Sequence, residues 1–140
     1  SEEEAFAAAE ATYRAYVDAL NKVDLSDPAT FEPVYELLDG AAAAASRRSF
    51  SQMQADGWTV KGESKVQLVE PEASSADVNE MEIAVCVDVS DVEIVDREGV
   101  SVVGSRPDVQ SLTVRAIRSS RVPTQAVITQ FSSRSEGPSC

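Results

Sequence analysis

Apolar side chains return at helical spacing between residues 5 and 21, where Phe6, Ala9, Tyr13, Tyr16, Val17 and Leu20 form one stripe. Glu2, Glu3 and Glu4 precede it, the charge sign that suits a helix N-terminus. Asp24-Leu25-Ser26-Asp27-Pro28 breaks the pattern. The spacing then predicts a short second helix over residues 30 to 38, with Thr30 as its N-cap, Pro33 within the first turn and Gly40 as its stop. Val34, Leu37 and Leu38 supply its apolar face. A third helix is predicted over residues 41 to 55, led by five alanines of high helix propensity and carrying Phe50 and Met53. Asp56-Gly57 closes it.

From Trp58 the period changes from 3.6 to 2. Trp58, Val60, Val66 and Leu68 share one parity, and Lys61, Glu63, Lys65 and Gln67 the other, which predicts a half-buried strand bent at Gly62. Residues 71 to 77 read as a loop. The clearest strand follows: Met81, Ile83, Val85, Val87 and Val89 on one face, Glu82, Ala84, Cys86 and Asp88 on the other. Val92, Ile94 and Val95 begin another extended piece, which a turn at 96 to 99 leads into residues 100 to 103. Residues 104 to 108 read as a loop. Leu112, Val114 and Ala116 mark a further strand, and residues 122 to 131 the last, with Pro123 near its start. Helices gathered ahead of a largely antiparallel sheet define an α+β domain, expected to span residues 1 to 140 as a single unit with a tail over 132 to 140. The apolar sheet face needs cover, so a curved sheet wrapped over the first helix, with a hollow between them, is the expected packing.

Composition narrows the function. Acidic residues outnumber basic ones 24 to 12, for a formal charge of −12. That surface does not suit nucleic acid or an anionic membrane, since both demand a basic face. There is no histidine, which removes Ser-His-Asp triads, Cys-His pairs and most zinc sites. No loop gathers carboxylates tightly enough for calcium, and no metal or cofactor is expected. No apolar run approaches the roughly 20 residues of a transmembrane helix. The acidic excess lies in the first hundred residues; Arg115, Arg118 and Arg121 follow on and after one strand. They read as charge balance for Glu80, Glu82 and Asp88 on the outer sheet face, the alternative being an anion site.

The sequence begins at Ser1 rather than methionine, so a targeting segment upstream would not be seen. Its two cysteines are Cys86 and Cys140, the latter at the end of a Ser-, Gly- and Pro-containing run. A disulfide between them would close a long loop, worth about 4 kcal/mol in the chain-entropy model, and would persist only in an oxidising compartment. The alternative is two free thiols in the cytoplasm.

Helix, helix, Ala-rich helix and a meandering sheet resemble the NTF2-like (cystatin-like, cone-shaped) superfamily. More narrowly, the chain resembles small exported or lipid-anchored NTF2-like proteins of actinobacteria. The matching residues run from Cys86 to Asp96 (Cys-Val-Asp-Val-Ser-Asp-Val-Glu-Ile-Val-Asp) and from Gly99 to Val103. Met53 to Trp58 and the final Gly137-Pro138-Ser139-Cys140 complete the match. The resemblance implies a cone fold, a Cys86–Cys140 bridge and an extracytoplasmic location, secreted or anchored by a lipidated cysteine upstream. One departure is local: such proteins often carry Gly-Trp before the final strand, where this chain reads Ser119-Ser120-Arg121-Val122-Pro123.

Enzymes of that superfamily work inside the cone. The absent histidine excludes a His-Asp dehydratase, and an isomerase would need a carboxylate base with hydroxyl donors. Tyr13 and Tyr16 are candidate donors, with Trp58 a third candidate for lining a pocket. Asp88 shares the parity of Cys86 and should point away from the hollow, so no catalytic residue is assigned. The expected function is non-enzymatic binding of a small apolar ligand or a protein partner, in the cone or on the sheet face. The alternative is an isomerase- or dehydratase-type enzyme using a tyrosine and a buried carboxylate. A homodimer through the sheet face is a further expectation.

Overall fold

A computed structural model describes residues 1–140. Helix α1 (Glu2–Leu20) is followed by a 3-10 turn (Pro28–Phe31), α2 (Glu32–Tyr35) and α3 (Gly40–Ala55). Six strands come next: β1 (Thr59–Lys61), β2 (Lys65–Ser74), β3 (Glu80–Asp88), β4 (Glu93–Val95), β5 (Val109–Arg118) and β6 (Ala126–Ser133). Four of them form an antiparallel sheet in the order β2-β3-β5-β6, while β1 and β4 pair as a separate antiparallel ribbon. The architecture is α+β, with the helices packed on one face of the sheet.

The stripe on α1 meets the valine face of β3. Ala5, Ala9, Tyr13 and Val17 from the helix pack with Met81, Ile83 and Val85, Val114 and Ala116 of β5, and Ala126 and Ile128 of β6. Burying such side chains contributes about 1.5–3 kcal/mol for each large one. A second group, Phe31, Tyr35 and Phe50, joins α2 to α3, with the Phe31 and Phe50 ring centres 5.0 Å apart. Arg47 lies over the Tyr35 ring at 4.2 Å.

The boundaries depart from the sequence reading in ways that have local causes. Helix α1 begins at Glu2 because the Ser1 hydroxyl accepts from the Glu4 backbone N–H, an N-cap followed at once by three acids. The predicted helix over 30–38 is broken into a turn and one short helix. Asp27, not Thr30, caps the turn by accepting from Ala29 N–H, and the Thr30 hydroxyl folds back onto the Asp24 and Asp27 carbonyls. Leu38 is drawn into a parallel bridge with Ile128, so the helix stops at Tyr35. Gly40 opens α3 rather than ending the helix before it, and Asp39 accepts from its N–H.

The expected single strand bent at Gly62 is two strands, in different sheets. Gly62 has φ +82°, and a Cβ there would collide with the Asp91 carbonyl, so only glycine lets the ribbon lie this close. The loop expected at 71–77 is strand as far as Ser74. Pro71 pairs opposite Ile83 on the outermost strand, where a missing donor costs nothing, with bulges on either side. Residues 100–103 form no strand beyond a bridge from Ser101 to Val95. The last strand starts at Ala126, because Pro123 and Gln125, the latter at φ +67°, make the preceding turn. It runs through Ser133, so the tail is residues 134–140 rather than 132–140.

That tail crosses the outer face of the sheet. The Arg134 N–H bonds the Ser111 carbonyl, Cys140 is disulfide-bonded to Cys86 with the Cα atoms 5.6 Å apart, and Gly137 lies against the Glu72 carboxylate. Ala84 and Cys86 on β3 are consequently as buried as the valines on the opposite face.

Candidate functional site: a two-lobed hollow under helix α1

The C-terminal half of α1 does not seal against the sheet. Two small apolar hollows flank it and share Leu20 and Ser64 as lining residues. The first, about 160 Å³, lies between the end of α1, α3 and the β1–β4 ribbon, and its floor is Leu25, Phe50, Met53, Val60 and Ile94. The second, about 170 Å³, lies between α1 and the β3, β5 and β6 strands, lined by Tyr13, Tyr16, Val87, Gln110, Leu112 and Phe131. Asn21 holds the partition in place. Its side-chain amide donates to the Ser64 carbonyl at 2.9 Å and its carbonyl accepts from Ser64 N–H at 2.8 Å. This tie fixes the end of α1 to the loop between β1 and β2.

Tyr13 and Tyr16 sit together in the second lobe, ring centres 6.2 Å apart, and Tyr16 leans on Phe131 at 5.0 Å. Neither hydroxyl has a hydrogen-bond partner in the protein. Burial pushes the Tyr16 phenol up to about 12, and burial together with the neighbouring Tyr16 ring drives Tyr13 further in the same direction. Both are therefore neutral phenols at physiological pH: hydrogen-bond donors and not bases.

Tyr13 and Tyr16 thus lie in one lobe, whereas Trp58 lines neither. It is half-buried where α3 hands over to β1, packed on the edge of the core. Asp88 faces out of the sheet, away from both lobes. Its carboxylate is held below the ordinary value by hydrogen bonding to Ser90, whose N–H it accepts at 2.8 Å. Neither lobe is lined by a carboxylate. No group of three or more His, Cys, Asp or Glu side chains is arranged to hold a metal ion.

The three arginines diverge. Arg115 lies between Glu80 and Glu82, at 3.5 Å from each. Arg121 donates to the Glu36 and Leu38 carbonyls, and Arg118 has no acidic partner. They form no common anion site.

Several lining residues escaped the sequence reading. Gln110 carried a signal, since it shares the inward parity of Leu112, Val114 and Ala116. Leu20, Phe50, Met53 and Phe131 carried none beyond their hydrophobicity, because a hollow is defined by what fails to touch, not by what is apolar.

A helical layer over a curved four-stranded antiparallel sheet with a hollow between them is the NTF2-like cone, and solved structures of that fold are similar to this chain. The intermembrane space region of the chloroplast protein ARC6 superposes with a TM-score of 0.63 at 14% identity, covering 89% of this chain and 92% of that one. An aromatic ring hydroxylase, so described provisionally, from Novosphingobium aromaticivorans gives 0.60 at 12%, covering 94% and 87%. CagV, a VirB8 homolog of the type IV secretion system of Helicobacter pylori, gives 0.51 at 9%, covering 84% and 89%. No protein-family model and no curated protein sequence matches the chain. These likenesses establish the fold, and the three proteins named have quite different roles. No helix is long and apolar enough to cross a membrane.

Proposed function

We propose that this chain is a non-enzymatic, exported binding domain whose cone takes a small apolar ligand bearing one hydrogen-bond acceptor. The observation that carries this reading is the pair of unpartnered phenol hydroxyls in a lobe lined, apart from Ser64 and Gln110, by apolar side chains. A hydroxyl with no partner in the protein is free to donate to an acceptor on a ligand, and an apolar lobe that excludes water strengthens that bond. Size follows from volume: a cavity of about 150 Å³ accommodates benzene, so each lobe, on its own side of the Asn21–Ser64 partition, suits one ring. The disulfide supports an oxidising, extracytoplasmic location, as a secreted or lipid-anchored protein. A protein partner or second copy docking on the sheet face is the lesser reading, because the Arg134–Cys140 segment already occupies part of that face.

Cyclohexanone and methylcyclohexane test the reading, being similar in shape but differing in the acceptor. Amide shifts in NMR titrations should report both in the cone, cyclohexanone about tenfold tighter, the worth of one buried hydrogen bond. The Tyr13→Phe/Tyr16→Phe double variant should erase the preference and keep binding of methylcyclohexane. Shifts mapping elsewhere, or equal affinity in the parent protein, would defeat the proposal. The same sample tests the isomerase-type alternative: exchange of the ketone's α-hydrogens for deuterium, catalysed by the protein, is expected of that enzyme and not of a binding domain. Native mass spectrometry of protein from its own host should show a bound mass of one-ring size.

A further inference from the structure

The Cys86–Cys140 bridge is set among donors that would serve its reduced form. Arg134 Nη2 lies 3.4 Å from Cys86 Sγ and 3.3 Å from Cys140 Sγ, and the Ser111 hydroxyl donates to Cys140 Sγ at 3.1 Å. The guanidinium is held in position by backbone carbonyls alone: Leu112 through Nε at 3.1 Å, Glu136 at 3.0 Å and Pro138 through Nη1, and Val85 through Nη2 at 3.2 Å. It makes no ion pair with a carboxylate. The acidic groups near it are engaged elsewhere: Glu82 with Arg115, Asp88 with Ser90, and Glu72 with the Thr113 hydroxyl. A cation without a counter-ion, aimed at two sulfurs, favours thiolate over thiol at either one. The two sulfurs also differ in access, since Cys86 is 1% exposed and Cys140 is exposed.

From this we propose that the bridge is a site of reversible thiol–disulfide exchange with low-molecular-weight thiols, in which Arg134 stabilises the departing Cys86 thiolate. An external thiolate attacks Cys140 Sγ, forming a mixed disulfide with Cys140 as the Cys86–Cys140 bond breaks and its electron pair stays on Cys86. A second thiolate attacks the external sulfur of that mixed disulfide and releases Cys140 as a thiolate. Two electrons pass from two thiols to the protein, and the external product is their disulfide. Each protein thiolate then takes up a proton or keeps Arg134 as its counter-ion. Reduction frees residues 135–140 from β3, while Arg134 stays held by the Ser111, Leu112 and Val85 carbonyls, and uncovers Ala84 and Thr113 on the outer sheet face, which makes the exchange a means of opening that face.

The native protein, with its disulfide intact, is equilibrated in reduced and oxidised glutathione, and free thiols are trapped and counted by mass. Arg134→Gln should shift the equilibrium toward the bridge about tenfold, as expected for loss of one charge-assisted hydrogen bond, and Arg134→Lys should fall between. In the reduced protein, alkylation of Cys86 by iodoacetamide should persist to lower pH in the parent than in Arg134→Gln, a difference that mere loosening of the tail does not produce. Reduction of the parent by glutathione should be first order in thiol while β3 and β5 amides stay protected from exchange. An equilibrium within twofold of the parent in Arg134→Gln would overturn the proposal. So would reduction that proceeds only at the rate of global unfolding, which needs no variant to measure.

Discussion

At the scale of single residues, the tyrosines couple the hollow to stability. An unfolded tyrosine ionises near about 10, whereas Tyr16 in the fold is pushed up to about 12 and Tyr13 and Tyr35 are raised by burial as well. The folded protein therefore holds protons that the unfolded chain releases. This stabilisation is complete below about pH 10 and is lost as pH rises from there toward about 12. Phenolate absorbance followed alongside circular dichroism should show Tyr13 and Tyr16 ionising only as the helical signal collapses. Two phenols titrating at the ordinary value in an intact fold would contradict the placement.

Thr12 is the one buried polar side chain in the core, fully enclosed, with its hydroxyl 2.8 Å from the Ala8 carbonyl, 3.0 Å from the Ala126 carbonyl and 2.8 Å from the Thr124 hydroxyl. It ties α1 to the first residue of β6. Thr12→Val keeps the shape and strands those partners, so urea denaturation should show a loss of about 1–3 kcal/mol, while Thr12→Ser should cost less. Nothing in the helical stripe marked this residue, since a threonine between apolar positions looks the same whether its hydroxyl meets water or a strand.

Among elements, the helices and β3 were legible and the joints between elements were not. Phe6 to Leu20 and Met81 to Val89 each carry a full periodic stripe, and each meets the partner that the pattern demands. The second helix failed at Leu38, whose bridge to Ile128 is a long-range pairing that no local window contains. Strand β2 was cut short in the sequence reading because Pro71 and its polar neighbours resemble a loop. Only its place at the margin of the sheet makes the proline harmless. Tyr13 and Tyr16 were legible as candidates from their place on the helix, whereas the partition through Asn21 and Ser64 depends on where two distant elements stop.

Gly62 makes the element-scale case testable. With φ at +82° and the Asp91 carbonyl in the way of any Cβ, Gly62→Ala strains the backbone and pushes the β1–β4 ribbon outward. The expected loss is about 1–3 kcal/mol from the dihedral strain alone. Because Gly62 lines the first lobe, amide shifts should concentrate at Val60, Val92 and Ile94. An unchanged denaturation midpoint would show the ribbon free to move aside.

For the molecule as a whole, the bridge joins residues 54 apart in sequence, and the chain-entropy relation values it at about 4 kcal/mol. The Cys86→Ala/Cys140→Ala double variant should keep the fold, since the helical cover of the inner face does not depend on the tail. Its denaturant midpoint should fall, with a loss no greater than that figure. A loss well beyond it would mean that residues 134–140 organise the core and do not merely lie over it.

The bridge between Leu38 and Ile128 has a wider consequence. It occupies the outer edge of β6 at Ile128, whose N–H bonds the Leu37 carbonyl and whose carbonyl accepts from Asp39 N–H, so that edge is interrupted near its start; the opposite flank of the sheet is β2. That flank is interrupted by two bulges and by Pro71, which has no N–H to give. Cross-β stacking needs a flat, uninterrupted template, and neither side of this molecule offers one. The folded protein should accordingly resist seeding into fibrils even at high concentration, with any such tendency confined to chains that have lost the Leu38 clasp.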